Sequence, residues 1–356
     1  MQQAHGYAAV EDSQREVLRA CLIGAAVGDA LGLPYEGLSA RRAQRWLRGR
    51  LRHRLLPGRG MVSDDTDHHV FVAQSLLAAR GDVDAFRREL VRRLRLWLIC
   101  LPAGIGSATL RGLLRAWLGL RHSGVRSAGN GPAMRSALLG CVFADDARAR
   151  RAHVAASTSI THLDPRAFAG ALAIAEIAAA LVRGAWPQRP SADELAALLR
   201  TVSDDASWQD CVAQLHRCCC TAQPAQAWCE APARRAGVGG YVLDSVPFAI
   251  AAWYQEFGDY AATVELCVRA GGDVDTHAAM AGALAALVVG VEGVPRDWRE
   301  GLRDWPHGLP CLEVLARDLA APEAAAAGFP PALLPRNLLF LGIVLAHGLR
   351  RLLPPY

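Results

Sequence analysis

Two acidic stretches, SDDT at residues 63–66 and GGDVDT at residues 271–276, each stand just before an apolar segment with helical spacing. Asp, Ser and Thr at a helix start are ordinary capping residues, because they accept hydrogen bonds from exposed backbone N–H groups. One cap per helix would suffice, so the second carboxylate in each stretch needs another explanation. If the two helices meet, carboxylates gathered in one cleft would raise one another's pKa values unless divalent cations neutralised them.

The donor atoms of these stretches predict which cation they hold. Carboxylates and hydroxyls are hard oxygen ligands, which suit Mg²⁺, Mn²⁺ or Ca²⁺ better than zinc or copper. His68 follows Asp64 by one helical turn, but we interpret it as a solvent-facing or hydrogen-bonded histidine, and Asp29 as a structural hydrogen-bond partner. The candidate metal ligands are Ser63, Asp64, Asp65, Asp273, Asp275 and Thr276.

The elements that carry these residues are predicted to be helices. Apolar residues recur at helical spacing in most of the chain, for example over 169–181 and 278–289, and long alternating strand patterns are absent. Many of these residues are alanines, which let helices approach closely. We expect an all-α fold, a compact multi-helix orthogonal bundle with a di-metal cleft, formed by one domain over residues 1–356 with a possible peripheral helical excursion over 186–240.

Composition narrows the functional classes. The 356 residues are 52% hydrophobic, enough for a large core, and the formal charge of +5 comes from scattered arginines, so nucleic acid is not the expected partner. The ten cysteines form no CxxC pair and the N-terminus has no secretory signal, which favours a cytoplasmic protein with reduced thiols. The apolar segment 338–346 falls short of the roughly 20 residues that span a bilayer. We therefore expect a buried terminal helix, no membrane contact and a monomer.

Six motifs occur in an order that resembles the ADP-ribosylglycohydrolases, a family that includes hydrolases of ADP-ribosylarginine and ADP-ribosylserine. Each motif is weak by itself, but together they cover most of the chain. They are LIGAAVGDALGLPYEG at 22–37, SDDT at 63–66, AGNGPAMR at 128–135, ITHLDPRA at 160–167, YVLDSVPFA at 241–249 and GGDVDT at 271–276.

The resemblance implies a role for each matched residue. The six candidate ligands would bind two Mg²⁺ ions, for which Mn²⁺ can substitute, and Glu36 and Asp275 would be catalytic, with Glu36 on a mobile loop that closes on the substrate. The loops that would cradle ADP-ribose contain Gly104, Gly106, Ser127, Gly129, Asn130, Gly131 and His162. Glycines suit this task because they let backbone N–H groups approach phosphate oxygens.

The sequence departs from the family pattern at three places. Ser63 stands where threonine is more usual, which keeps the hydroxyl, and His277 stands where an aliphatic residue is common. Asp67, His68 and His69 are more unusual, and we expect them to alter the mouth of the pocket rather than the metal site.

The implied reaction is hydrolysis of the bond at C1″ of the distal ribose, through a transition state that resembles an oxocarbenium ion. The substrate would be an ADP-ribosylated protein, with arginine favoured over serine because a guanidinium leaves as a good neutral base, or a small-molecule conjugate of ADP-ribose. Two alternatives stay open at this point. One is a catalytically silent member that binds ADP-ribose, and the other is a two-metal phosphohydrolase that acts on ADP-ribose or a nucleotide.

Overall fold

The computed structural model describes residues 2–47, 49–120, 122–321 and 324–352, with side chains from residue 11 onward. Residues 1, 48, 121, 322, 323 and 353–356 of the predicted domain lie outside the described residues. The described part is all-α and contains no strand, as predicted, with two short 3₁₀ segments at Leu33–Tyr35 and Ala133–Arg135. The helices are α1 (Gln2–Gly32), α2 (Ala40–Trp46), α3 (Asp64–Ala79), α4 (Val83–Ile99), α5 (Ser107–Trp117), α6 (Ala137–Val142), α7 (Ala147–Ser159), α8 (Pro165–Val182), α9 (Ala192–Arg200), α10 (Ala206–Cys219), α11 (Pro224–Cys229), α12 (Val242–Gln255), α13 (Tyr260–Ala270), α14 (Val274–Gly293), α15 (Arg296–Gly301), α16 (Leu309–Ala320) and α17 (Leu333–Arg350).

Helices α1 and α14 form the centre of the fold, and their mutual contact is the most extensive between any two elements of the described chain. Gly24, Gly28 and Gly32 recur every four residues on the side of α1 that faces α14. A Cβ atom on Gly28 would lie 2.1 Å from the carbonyl oxygen of Ala278, and one on Gly32 would lie 2.5 Å from the Cα of Asp275. The glycines therefore set the distance between the two backbones, and one of them touches the start of α14.

The other helices surround this pair. Helices α13, α12, α8 and α3 contact α14, and α16 lies along α1. The segment 186–240 contributes α9, α10 and α11, and its Trp208 and Trp228 are buried in the same core as the central pair. The predicted excursion is therefore packed through aromatic side chains, and its helix starts are capped by Ser191 and Asp205.

Four helical segments are long and apolar enough to cross a membrane by length and composition: Glu11–Tyr35, Pro165–Val182, Val274–Gly293 and Leu333–Arg350. In the first three, between 67% and 89% of the apolar window is buried inside the protein, which makes them core helices. In the last, α17, only 22% is buried. The expectation of a buried terminal helix was wrong: a helix forms there, but it lies on the surface with Leu338 and Leu345 exposed.

Candidate active site

The two acidic stretches meet where α3 and α14 begin. Ser63 is the N-cap of α3, and its hydroxyl oxygen accepts a hydrogen bond from the backbone N–H of Asp65. The hydroxyl groups of Ser63 and Thr276 donate to the same carboxylate oxygen of Asp65, at 3.1 and 3.2 Å. The second contact joins residues 211 positions apart in the chain. Two helix N-termini, whose dipoles favour negative charge, therefore share one acidic site.

Asp29 on α1 fixes the start of α3. Its carboxylate accepts hydrogen bonds from the backbone N–H groups of Ser63 and Thr66 and a 2.6 Å bond from the hydroxyl of Thr66. Burial raises the pKa of Asp29 to about 6, although these donors oppose the shift. Asp29 is thus the structural hydrogen-bond partner that the sequence predicted, and it also lies close to the ligand cluster.

A tight glycine turn leads into α14. Gly271 and Gly272 both have positive φ angles, of 69° and 90°, and a Cβ on Gly272 would lie 1.9 Å from the carbonyl oxygen of Val238. The turn is held by neighbouring backbone, because the N–H of Asp273 donates to the carbonyl of Val238 at 2.8 Å. The side-chain amide of Asn130 donates to the carboxylate of Asp273 at 2.7 Å. The glycines therefore direct Asp273 and Asp275 into the same cleft.

The carboxylates fit a cation site on two observations. Ligand oxygens of Asp29, Asp65 and Asp275 lie within 4.8 Å of one another, and so do those of Glu36, Asp273 and Asp275. Within the described part of the chain, one oxygen of Asp65 and one of Asp275 are buried without a hydrogen-bond partner. Such unpaired buried acceptors are costly, and a bound cation would satisfy them.

Burial and mutual repulsion act on the pKa values of these acids in the same direction. Burial is the largest cause, and it raises the pKa values of Asp64, Asp65 and Asp275 well above the ordinary value; neighbouring carboxylates raise them further. Asp64 opens onto the cleft, whereas Asp65 and Asp275 are buried. Without a cation, these carboxyl groups would retain protons that they lose in water, so metal binding and proton release are coupled.

Glu36 follows the 3₁₀ segment after α1, beside the metal-ligand candidates. Burial, followed by the charge of Asp273, raises its pKa to about 7, while Arg351 opposes the shift. The sequence predicted a mobile loop here, but the backbone on both sides is bonded: the N–H of Gly37 donates to the carbonyl of Gly272 at 2.8 Å, and Arg351 donates to the carbonyl of Glu36 at 2.7 Å. The mobile loop stays a prediction, and a swing of the whole loop would have to break these two hydrogen bonds.

These groups line a cavity of about 310 Å³. Of the predicted site residues it contains Glu36, Asp64, Gly104, Gly106, Ser127, Gly129, Asn130, Gly131, His162, Asp273, Asp275 and Thr276, while Ser63 and Asp65 lie beneath its surface. The sequence interpretation missed Ser107, Ala108, Thr109, Met134 and Gly240. The first three form the start of α5, after the N-cap Gly106. A Gly-Ser-Ala-Thr step before an amphipathic segment was the signal that could have revealed this helix start.

His162 presents a neutral imidazole to the cavity. Burial is the main reason that its pKa is lowered to about 3, and Arg135 adds to the effect. Its Nδ1 lies 2.8 Å from the hydroxyl oxygen of Thr161, which accepts from Arg135 at 3.3 Å. The ring lies against Gly129 and Gly131, whose missing Cβ atoms make room for it.

The unusual residues after Asp65 do not form the pocket mouth, which corrects the sequence expectation. Asp67, His68 and His69 are all buried, and none of them lines the cavity. The carboxylate of Asp67 accepts from Trp97 and His307, and its pKa is lowered because these donors outweigh its burial.

His68 is a hydrogen-bonded core histidine, since its Nδ1 accepts from Arg135 at 2.9 Å and its ring packs against Trp97. His277 is also buried, with its ring edge-on to Phe248. Burial lowers its pKa to about 4, so the side chain is an uncharged packing residue near neutral pH. Neither histidine lies in the cavity, and both act as packing residues behind the acidic cluster.

Comparison with known proteins gives a consistent result. Residues 11–327 match the family model described as ADP-ribosylglycohydrolase. An uncharacterized protein of Archaeoglobus fulgidus is 30% identical over 303 residues, covering 81% of this chain and 92% of the relative. The ADP-ribosyl-(dinitrogen reductase) glycohydrolase of Rhodospirillum rubrum is 27% identical over 291 residues, covering 78% and 86%. A solved structure described as an ADP-ribosylglycohydrolase-related protein complex aligns with a TM-score of 0.65 and 25% identity over 87% of this chain and 98% of that one.

Proposed function

The chain belongs to the ADP-ribosylglycohydrolase family, and on this premise we propose that it hydrolyses the C1″ bond between ADP-ribose and a modified protein side chain, with arginine favoured over serine. The products are free ADP-ribose and the unmodified side chain. We further propose that it acts in the cytoplasm as a monomer and uses two Mg²⁺ ions. The observation that carries the proposal is the hydrogen bond between Thr276 and Asp65, which unites the two acidic helix starts at the base of one cavity.

The candidate ligands for the cations are the hydroxyls of Ser63 and Thr276 and the carboxylates of Asp64, Asp65, Asp273 and Asp275. Their hard oxygen atoms support Mg²⁺ or Mn²⁺ rather than Zn²⁺. Among the described residues that line the cavity there is no cysteine, and the one histidine lies apart from the acids. When bound, such ions would supply Lewis-acid stabilisation and lower the pKa of water.

The remaining groups bind and orient the substrate. The backbone N–H groups at the start of α5 lack partners within their own helix, which suits them to the diphosphate. His162 offers the polar atoms of a neutral imidazole, and the side-chain amide of Asn130 orients Asp273. Glu36 and Asp275 both face the cavity and can accept a proton from the attacking water. With a pKa of about 7 before cations are counted, Glu36 is suited to proton transfer near neutral pH.

Product analysis on defined substrates tests this proposal. Peptides carrying ADP-ribose on a single arginine or a single serine would be incubated with the protein and Mg²⁺, and the released nucleotides separated by chromatography. We expect ADP-ribose, formed faster from the arginine peptide. Release of AMP would identify a phosphohydrolase instead, and tight binding of ADP-ribose without turnover on any substrate would identify a silent member of the family.

A further inference from the structure

Helix α17 carries an apolar face that the described chain does not cover. Its exposed leucines, with 37–66% of their surface accessible, are Leu334, Leu338, Leu339, Leu341, Leu345 and Leu349, which we call the leucine face. From residue 335 to residue 346 the only charged residue is Arg336, which is buried. A contiguous apolar surface of this kind on a folded protein marks a site of interaction.

The opposite side of α17 is fixed to the protein, so the leucine face cannot turn inward. Arg336 forms an ion pair with Asp304 in which both side chains are buried. The side-chain amide of Asn337 donates to the carbonyl of Cys100 at 3.0 Å, and Phe340 packs into a small apolar cluster. The helix is therefore anchored through one side, and the leucines lie outside in the folded state.

A basic segment borders the leucine face. Residues 37–62, which we call the basic strip, contain eight arginines and no acidic residue. Arg42 donates to the carbonyl of Arg351 at 3.3 Å, and the ring of Trp46 lies 5.2 Å from that of His347. Arg52 and Arg54 share a groove with Ile343, Ala346 and Arg350. An uncharged apolar surface is thus flanked by positive charge along the C-terminal half of α17.

We propose that the leucine face and the basic strip bind the surface of a membrane that contains anionic lipid, with α17 lying in the plane of the interface. Leucines enter the boundary between headgroups and acyl chains, and the arginines attract lipid phosphates. This proposal goes beyond glycohydrolase activity and replaces the sequence expectation of no membrane contact. The family match covers residues 11–327, and α17 lies beyond it.

Two other arrangements fit the structure less well. A helix that spans the bilayer would have to pull Arg336 away from Asp304 and place its charge in hydrocarbon, which is expensive. A second copy of the chain would cover the leucines, but neither α17 nor the basic strip offers an acid to the arginines of the other copy. Charge complementarity therefore favours an anionic lipid surface.

Vesicle flotation tests the leucine face. The full chain would be mixed with vesicles of phosphatidylcholine alone or of equal parts phosphatidylcholine and phosphatidylglycerol. We expect binding to the anionic vesicles and at least about 100-fold weaker binding by the triple variant Leu338→Ser, Leu345→Ser, Leu349→Ser, because each leucine contributes roughly tenfold when it is buried. The matched control is Leu114→Ser, Leu118→Ser, Leu120→Ser, which removes three leucines of comparable exposure on and just after α5. The control should bind like the wild type.

A second experiment tests the basic strip with variants that each remove two exposed arginines. Arg52→Gln with Arg59→Gln should weaken binding to anionic vesicles by roughly 25-fold at low salt, at about fivefold for each arginine. The control pair, Arg148→Gln with Arg200→Gln, removes the same charge from exposed positions elsewhere and should have little effect. High salt should reduce the difference between the pairs.

Three results would overturn the proposal. One is absence of wild-type binding to anionic vesicles, and another is loss of binding only in the α5 control. The third is a wild-type dimer in solution that the α17 variant converts to a monomer, which would assign the leucine face to a second copy. Glycohydrolase turnover on a soluble substrate and helical circular dichroism should be unchanged in the α17 variant, and these measurements separate lost docking from lost folding.

Discussion

Replacing Gly32 with alanine should damage the metal site far more than the fold. The new Cβ would lie 2.5 Å from the Cα of Asp275 and 2.7 Å from its backbone nitrogen. An ordinary contact begins at 3.4 Å, so the start of α14 must retreat from α1 by about 0.9 Å, the difference between those two distances. Gly32 has helical φ and ψ angles, so alanine adds no backbone strain there.

The expected magnitudes follow from this shift. Overpacking costs about 1–3 kcal/mol, and the better helix propensity of alanine returns about 1 kcal/mol, so the loss of stability should be roughly 0–2 kcal/mol. A displacement of about 1 Å at a reacting centre can lower turnover by about 100-fold. We therefore expect Gly32→Ala to remain folded, to bind Mg²⁺ more weakly and to lose on the order of 10²-fold in kcat.

Gly24→Ala is the matched control. Its Cβ would meet the Cβ of Ala286 at 2.4 Å and the carbonyl oxygen of Gly282 at 2.6 Å, in the same seam but two turns of α1 away from the ligands. Thermal unfolding, Mg²⁺ titration calorimetry and turnover would be measured for both variants. Wild-type kcat and Mg²⁺ affinity in Gly32→Ala, or an equal loss of kcat in Gly24→Ala, would refute the idea that this seam positions Asp275.

Three further predictions concern the acids themselves. Asp64→Ala should keep the helical circular dichroism spectrum but lose turnover. When the wild type is treated with chelator, its turnover should be restored by Mg²⁺ or Mn²⁺ but not by Zn²⁺; restoration by Zn²⁺ alone would contradict the hard-oxygen site. Glu36→Gln should retain Mg²⁺ and ADP-ribose affinity within a few-fold while kcat falls roughly 10²-fold or more, whereas lost Mg²⁺ binding would make Glu36 a ligand. In chelator at pH 8, Asp275→Asn should raise the melting temperature by a few degrees. The pKa of Asp275 is higher in the folded state than in the unfolded state, so this carboxyl group makes the folded state less stable as the pH rises from the unfolded pKa to the folded pKa. A lower melting temperature would mean that the carboxylate stabilises the metal-free protein.

Local patterns predicted the helices and the location of the acids. The SDDT and GGDVDT stretches begin α3 and α14, because capping chemistry and helical periodicity are properties of short segments. The all-α class followed from the same periodicity. The contact between Asp65 and Thr276 required the further assumption that the two helices meet, which the family resemblance supported but no local pattern could establish.

Local patterns did not predict which side chains are buried and which are exposed. Asp67 and His68 are residue types typical of a solvent-facing turn, but both are buried in the core, where Trp97 and His307 donate to Asp67 and Arg135 donates to His68. The leucines of α17 have the composition of a core helix, but the neighbouring helices cover only its other side. Whether a helical face is covered depends on tertiary partners, which the segment itself does not encode.

The distance in sequence between the two acidic stretches also has a consequence for synthesis on the ribosome. The ribosome makes Ser63, Asp64 and Asp65 long before it makes Asp273, Asp275 and Thr276, and the hydrogen bond between Asp65 and Thr276 joins residues 211 positions apart. A nascent chain that ends before Asp273 holds Asp64 and Asp65 but lacks Asp273 and Asp275, and it also lacks the helix against which α1 packs. The site for the cations is therefore completed only after the final third of the polypeptide has begun to emerge, and a truncated product that ends before α14 would carry the SDDT turn without a hydrolytic centre.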